Sequence, residues 1–239
     1  MIHQLAPVVL GPVLYLQGKA VRRNTPRLPE PPGDRRGHAG MGRELRLLVL
    51  GDSAAAGVGA AHQDEALLGR LVASLSARFT VHWHLCARTG ATTTSTLKKA
   101  RSLTDGPFDV AVTSLGVNDI TAGVSRQTWL AQQAELRDVL RMALGVKALV
   151  LSGLPPVHGF PALPQPLRWY LGARASAFDR ALEHAVAAEP DVRFLSLRFS
   201  SDVNLMATDG FHPGPAAYRA WGERASEVIV KMIGDVSGA

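Results

Sequence analysis

A single cysteine, Cys86, occurs in the 239 residues, so no intramolecular disulfide can form and nothing in the chain calls for an oxidising compartment. It ends a strand-like run with no thiolate-stabilising surroundings visible in sequence, and reads as a buried thiol. Acidic residues are few, 20 against 26 Lys and Arg, for a net charge of +6 and a pI of about 10.0. Such an excess can serve nucleic acid or an anionic membrane. Here, though, Arg22, Arg23, Arg27, Arg35, Arg36, Arg43 and Arg46 crowd the start of the chain with no recognition motif and no interleaved aromatics. No nucleic-acid partner is expected, and the arginines read as solvated surface. With 46% hydrophobic and 19% charged residues the composition is that of a folded globular protein, and the length suits one α/β domain better than two.

Long hydrophobic runs are missing too. The apolar stretch at residues 5–16 falls short of the ~20 residues that cross a bilayer. Lys19, Arg22 and Arg23 follow it and no Lys or Arg precedes it, the reverse of a secretory leader. Two readings remain: an arm docked on the protein's own apolar surface, or a segment lying on a membrane with its basic residues among headgroups. Residues 24–42, rich in Pro, Gly and Arg, read as an extended linker. The expected organisation is therefore an arm and linker over 1–43 and a catalytic domain over 44–239. A cytoplasmic location is expected, with peripheral membrane contact through residues 1–23 as its extension.

Metal and nucleotide motifs are absent as well. His82 and His84 share a strand face, but no third ligand follows at a useful spacing. Residues 51–59 lack both the Lys-Ser/Thr of a phosphate loop and the Gly-x-Gly-x-x-Gly spacing. No metal and no cofactor are expected.

What the chain does contain is a regular alternation of short apolar runs and helical patterns. Strands are expected at 45–50, 79–86, 108–115, 146–151 and 192–197, with helices at 64–77, 92–103, 127–144, 167–188 and 213–233. That order predicts a parallel sheet between helix layers with right-handed crossovers, a three-layer α/β/α sandwich. Ligands of such sheets bind at the carboxyl edge. The first strand ends there in Gly51-Asp52-Ser53, followed by Ala54, Ala55, Ala56 and Gly57, small residues that leave the Ser53 hydroxyl uncrowded.

A serine needs a base, an orienting carboxylate and oxyanion donors. Of eight histidines, His212 alone has a carboxylate in a fixed near position: Asp209, three residues earlier, can reach one ring nitrogen and aim the other outward. Asn118, after Gly116, offers an amide that donates without titrating, and Gly90 offers a backbone N–H. Asp52 is better placed to cap its own turn than to orient the histidine.

Taken in order, Gly51-Asp52-Ser53, Gly90, Gly116-Val117-Asn118-Asp119 and Asp209-Gly210-Phe211-His212 resemble the four blocks of the GDSL or SGNH hydrolases, with Ala54 where the family name expects leucine. The resemblance implies a five-stranded flavodoxin-like sheet. It also implies Ser53 as nucleophile, His212 as base, Asp209 as its orienter, and Ser53, Gly90 and Asn118 as oxyanion donors. The apolar, proline-stiffened residues 153–169 follow a strand, so Leu154, Pro156, Val157 and Phe160 are candidates for a wall around an acyl or alkyl group, or simply a packed loop. The expected function is metal-independent hydrolysis of small-molecule carboxylic esters with small acyl chains. The resemblance equally covers lysophospholipase, thioesterase and carbohydrate O-deacetylase activities. A non-catalytic membrane-surface module is the rival from another class, but it has no reason to keep all five site residues.

Overall fold

Leu47, Leu48, Val49 and Leu50 are all fully buried, because they lie in the middle of a sheet covered by helices on both faces. The computed structural model describes residues 2–198 and 203–235. Its strands are β1 (Arg36–Ala39), β2 (Arg43–Gly51), β3 (Phe79–Ala87), β4 (Val110–Ser114), β5 (Ala148–Ser152) and β6 (Val192–Leu195). Its helices are α1 (Ile2–Asn24), α2 (Ser53–Ala56), α3 (Leu67–Leu75), α4 (Thr93–Ala100), α5 (Val117–Thr121), α6 (Arg126–Met142), α7 (Leu167–Val186) and α8 (Pro215–Asp235). Strand order is β1-β3-β2-β4-β5-β6.

Alternate side chains of β2 feed two cores. Leu48 and Leu50 join Ala111, Leu149 and Leu151 under α4, α6 and α7, while Leu47 and Val49 join Val110, Val112 and Val150 under α3 and α8. The five strands expected from the apolar runs are all present and mutually parallel.

The sheet has six strands rather than five. The added one, β1, pairs antiparallel with β3 in the register Arg36↔His84 to Ala39↔Val81. It comes from the stretch expected to be an extended linker. Its four residues, Arg-Gly-His-Ala, carry no apolar alternation that a pattern search can detect. What holds it is backbone pairing and one close approach: a Cβ on Gly37 would lie 2.4 Å from the Trp83 ring.

The arm is helical over Ile2–Asn24 in spite of Pro7 and Pro12. Of the two readings offered for it, docking on the protein's own surface describes residues 10–21. Leu14 is buried in the α6–α7 core, with Leu10 and Val21 packed against it. The Gln17 side chain donates to the Gln165 carbonyl at 2.7 Å and accepts from the Leu167 N–H at 3.1 Å, satisfying a backbone donor that α7 leaves open at its start. Val13, Tyr15 and Leu16 remain exposed. Among the described residues no helix is long and apolar enough to cross a membrane.

The end of β2 is packed to backbone contact. A Cβ on Gly51 would lie 2.3 Å from the Ser114 carbonyl oxygen of β4 and 2.7 Å from Ala55 Cβ in α2. Neither neighbour can retreat without disturbing the β2–β4 ladder or the turn that carries Ser53. Gly51→Ala is expected to cost roughly 1–3 kcal/mol of stability by overpacking, read as a lower urea midpoint at unchanged m value. A midpoint equal to that of the wild type would show that this turn gives way freely.

Candidate active site

Asp52 leaves the sheet in an extended conformation and caps α2, its Oδ1 accepting from the Ala54 N–H at 3.0 Å, as expected of an Asp in such a turn. Ser53 therefore occupies the first helical position, and the following alanines keep its hydroxyl clear. Gly57 ends the helix in the left-handed region at φ 93°.

From 159 residues away the second half of the site arrives on the turn before α8. Asp209 Oδ1 accepts from the backbone N–H groups of Phe211 at 2.9 Å and His212 at 3.0 Å. Its Oδ2 lies 2.5 Å from His212 Nδ1, and His212 Nε2 lies 2.9 Å from Ser53 Oγ. The turn is held by Ala207 N–H donating to the His212 carbonyl at 2.8 Å and by Gly210 at φ 63°. Burial would raise the Asp209 carboxyl, but the hydrogen bonds from the His212 ring and the two backbone donors hold it below the ordinary carboxylate value. Asp209 is thus an ionised acceptor that fixes the ring so that Nε2 points at the serine.

Gly116, at φ 132°, sets the start of α5 and brings Asn118 to the same place. One N–H of the Asn118 amide donates to the Ala91 carbonyl at 2.9 Å, which leaves the second for the cavity that Asn118 lines. Its neighbour Asp119 is fully buried and plays no part in orienting His212. It accepts from the Thr93 N–H at 3.1 Å and the Thr93 hydroxyl at 3.0 Å, and that hydroxyl in turn accepts from Trp129 Nε1 at 3.1 Å and Gln133 Nε2 at 3.2 Å. This network ties the Asn118 loop to the start of α4. Asp119, Thr93, Trp129 and Gln133 lie on three separate elements, so no local pattern announces it.

Ser53, Asn118 and His212 open on a cavity of about 60 Å³ with mostly apolar walls. Gly90, expected beside them, sits on an exposed turn at φ 78° and is not among the residues lining this cavity. Of the four wall candidates, Phe160 lines it and the other three do not. Leu154 and Val157 are buried in the α6–α7 core, Leu154 lying under Gly116, and Pro156 is half-buried at the start of a 3₁₀ turn. The physical reason is that the chain turns inward directly after β5, the Leu154 N–H donating to the buried Asp179 carboxylate at 2.9 Å. Gly153 and Pro155 face the cavity instead.

The remaining walls come from residues that sequence reading did not single out: Leu115, Leu197, Leu205, Met206, Phe211, Ala217 and Trp221. Only Ala217 and Trp221, one helical turn apart on α8, carried a readable signal of a shared face. His82 pairs with Glu44 and stacks on His38, while His84 Nδ1 lies 2.8 Å from Asp105. Among the described residues no three His, Cys, Asp or Glu side chains gather as a metal site.

A sequence model of the GDSL-like lipase/acylhydrolase family matches residues 49–220, which takes in Ser53, Gly90, Asn118, Asp209 and His212. A GDSL-like esterase of Mycobacterium tuberculosis is 32% identical over 191 residues, covering 73% of this chain and 58% of that protein. The chain thus spans a little over half the length of this relative. Among solved structures, a family 3 carbohydrate esterase of Clostridium thermocellum superposes with a TM-score of 0.65 at 16% identity, covering 82% of this chain and 100% of its own. A member of the lipolytic G-D-S-L family from Veillonella parvula superposes at 0.62 and 14% identity, covering 78% and 99%. At such identities these two likenesses speak for the fold.

Asp52 is the second carboxylate of the site, and burial pushes it up from 3.8 to about 6. Between those values the folded protein holds a proton that the unfolded chain has released, so this group's contribution to stability falls as pH rises through the window and stays lost above it. Asp52→Asn keeps an acceptor for the Ala54 N–H and removes the titration. Relative to wild type, its stability is expected to improve by on the order of 2–3 kcal/mol between about pH 4 and pH 7.5. Urea midpoints at the two pH values measure this; a pH-independent difference would show that Asp52 is already ionised below pH 4.

Proposed function

The chain belongs to the GDSL-like lipase/acylhydrolase family, and from that premise we propose that it is a serine carboxylic ester hydrolase, independent of metal, acting on small-molecule esters with short acyl chains. The observation that carries this reading is the unbroken chain Asp209 Oδ2, His212 Nδ1, His212 Nε2, Ser53 Oγ, with steps of 2.5 and 2.9 Å, opening on an apolar cavity.

In this mechanism Ser53 Oγ attacks the ester carbonyl carbon as His212 Nε2 takes its proton, and Asp209 stabilises the imidazolium without itself becoming protonated. The carbonyl oxygen, now negative, is met by the free N–H of the Asn118 amide and by the Ser53 backbone N–H at the start of α2. The Gly90 N–H, one residue before the Ala91 carbonyl that holds the Asn118 amide, is read as the third donor. Collapse of the intermediate expels the alcohol, which receives the proton from His212, and leaves an acyl group on Ser53. Water, deprotonated by the same nitrogen, attacks that acyl carbon; on collapse the bond to Ser53 Oγ breaks, Oγ takes the proton back from His212 Nε2, and the carboxylic acid leaves. Every proton passes through one ring, so the reaction needs no metal-bound hydroxide.

The cavity supports short acyl groups. A water occupies roughly 10–15 Å³ on such a measure, so about 60 Å³ accommodates only a handful of heavy atoms. Phe160, Phe211, Leu205, Met206 and Trp221 favour hydrocarbon and leave a charged acyl group unsolvated.

Ser53→Ala is expected to abolish turnover of a chromogenic acetate ester while leaving the unfolding midpoint unchanged; retention of more than a small fraction of the rate would remove Ser53 as nucleophile. Asn118→Ala is expected to lower kcat by about 10²–10³ with little change in KM, the loss of one oxyanion donor. A raised KM at full kcat would make Asn118 a ground-state binding residue. In a series from acetate to decanoate esters, kcat/KM should peak at two to about four carbons and survive chelator. An optimum at eight carbons or more would overturn the short-acyl assignment.

A further inference from the structure

A second concavity lies on the far side of the Gly51 turn, and the reaction proposed above makes no use of it. Gly51 lines it, while the next two residues, Asp52 and Ser53, line the ester cavity. One wall is β3, through His84, Cys86 and the chain that continues to Arg88. The other is α4 and the turn after it, where Ser95, Lys98, Lys99 and Ser102 fall at i, i+3, i+4 and i+7, one stripe of helix surface. Arg35 also lines it. The cleft measures about 690 Å³, within the range of roughly 300–1,000 Å³ typical of small-molecule sites.

Its charge is one-sided. Arg35, Arg88, Lys98 and Lys99 line it against one carboxylate, Glu30. That carboxylate is already engaged by Arg35 at 2.9 Å and by the N–H and hydroxyl of Thr89. The nearby Asp105 pairs with the Arg36 guanidinium at 2.7 Å. Among the described residues Arg88, Lys98 and Lys99 have no carboxylate partner. Lys98 and Lys99 line it from the α4 stripe and Arg88 from the end of the β3 wall, so cations face the cleft from both sides. A concave wall of one sign focuses its field and concentrates ions of the other. Lysine ammoniums and an arginine fork are also the groups that suit phosphate oxygens.

We propose that this cleft is a binding site for a phosphorylated small molecule, distinct from the ester-cleaving cavity and gripped by Lys98, Lys99 and Arg88. The phosphate would sit against the α4 stripe, with the remaining volume along β3 for the body of the ligand. The site does not depend on the catalytic reading, so its binding must be the same in Ser53→Ala.

Calorimetric titration of the full chain with inorganic pyrophosphate, at about 0.15 M salt so that loose surface attraction is screened, tests it. Saturable binding at one site is expected, weakened at least about tenfold in Lys98→Glu/Lys99→Glu and retained in Ser53→Ala. The double variant should stay folded and keep ester hydrolysis, since both lysines are exposed and outside the catalytic cavity, with its melting temperature lowered only by a few degrees because two cations are lost from the last turn of α4. No saturable binding, or binding that the double variant leaves intact, overturns the proposal. So does binding to phosphatidate-containing vesicles with none to pyrophosphate, which would make the cationic face a membrane contact.

Discussion

Two-sided burial of β2 is the constraint on which the rest of the molecule depends. Because residues 47–50 bury side chains into both cores, the strand cannot slip by one residue without exchanging every contact on both faces. Its end is therefore located to atomic precision, and Gly51 lets it approach the Ser114 carbonyl and Ala55 more closely than any side chain would allow. Ser53 inherits that position through one capped turn. The two flanking strands, β3 and β4, fix the loops beside it: β3 delivers the turn whose Ala91 carbonyl holds the Asn118 amide, and β4 delivers Asn118 itself.

Three aspartates crowd this edge, and their surroundings give them different characters. Asp209 is ringed by donors, including an imidazole that can carry positive charge, and stays ionised against its burial. Asp52 is as deeply enclosed, and there burial outweighs the α2 backbone donors and the nearby His212, so its carboxyl rises to about 6. Asp119 is raised by burial too, in spite of the Thr93 donors, and does structural work by joining the Asn118 loop to α4. Identical side chains at one edge of the sheet are thus shifted in opposite directions because desolvation and hydrogen bonding compete at each one separately.

Local signals were legible wherever one element carries them whole. The run at residues 45–50 announced a buried strand, and Asp52 announced its own cap. Asp209 and His212 lie within one turn, so their pairing could be read from spacing; the structure reports it at 2.5 Å. Strand β1 was silent because it is attached by its backbone and not by an apolar face. The helical character of α1 was hidden by its prolines, and its docking depends on the Gln17 amide reaching a backbone more than a hundred residues away. Leu154 and Val157 looked like cavity walls because they are apolar and follow a strand. Whether such a residue faces inward to the core or outward to the edge is decided by where the Leu154 N–H finds its acceptor, and that acceptor, Asp179, belongs to α7.

By itself the sequence determined the strand-helix alternation and the pairing of Asp209 with His212, and it pointed to Ser53 and Asn118, because each of these signals is encoded in periodicity or in a few neighbouring residues. Only the tertiary structure decided the distance from Ser53 to His212, the exclusion of Gly90 from the cavity lining, and the walls built by Leu197, Met206 and Trp221. The cationic cleft between β3 and α4 is of the second kind as well. These features are meetings of residues far apart in the chain, and where such residues meet is set by how two cores pack on one twisted sheet, a property of the whole chain that no local pattern carries.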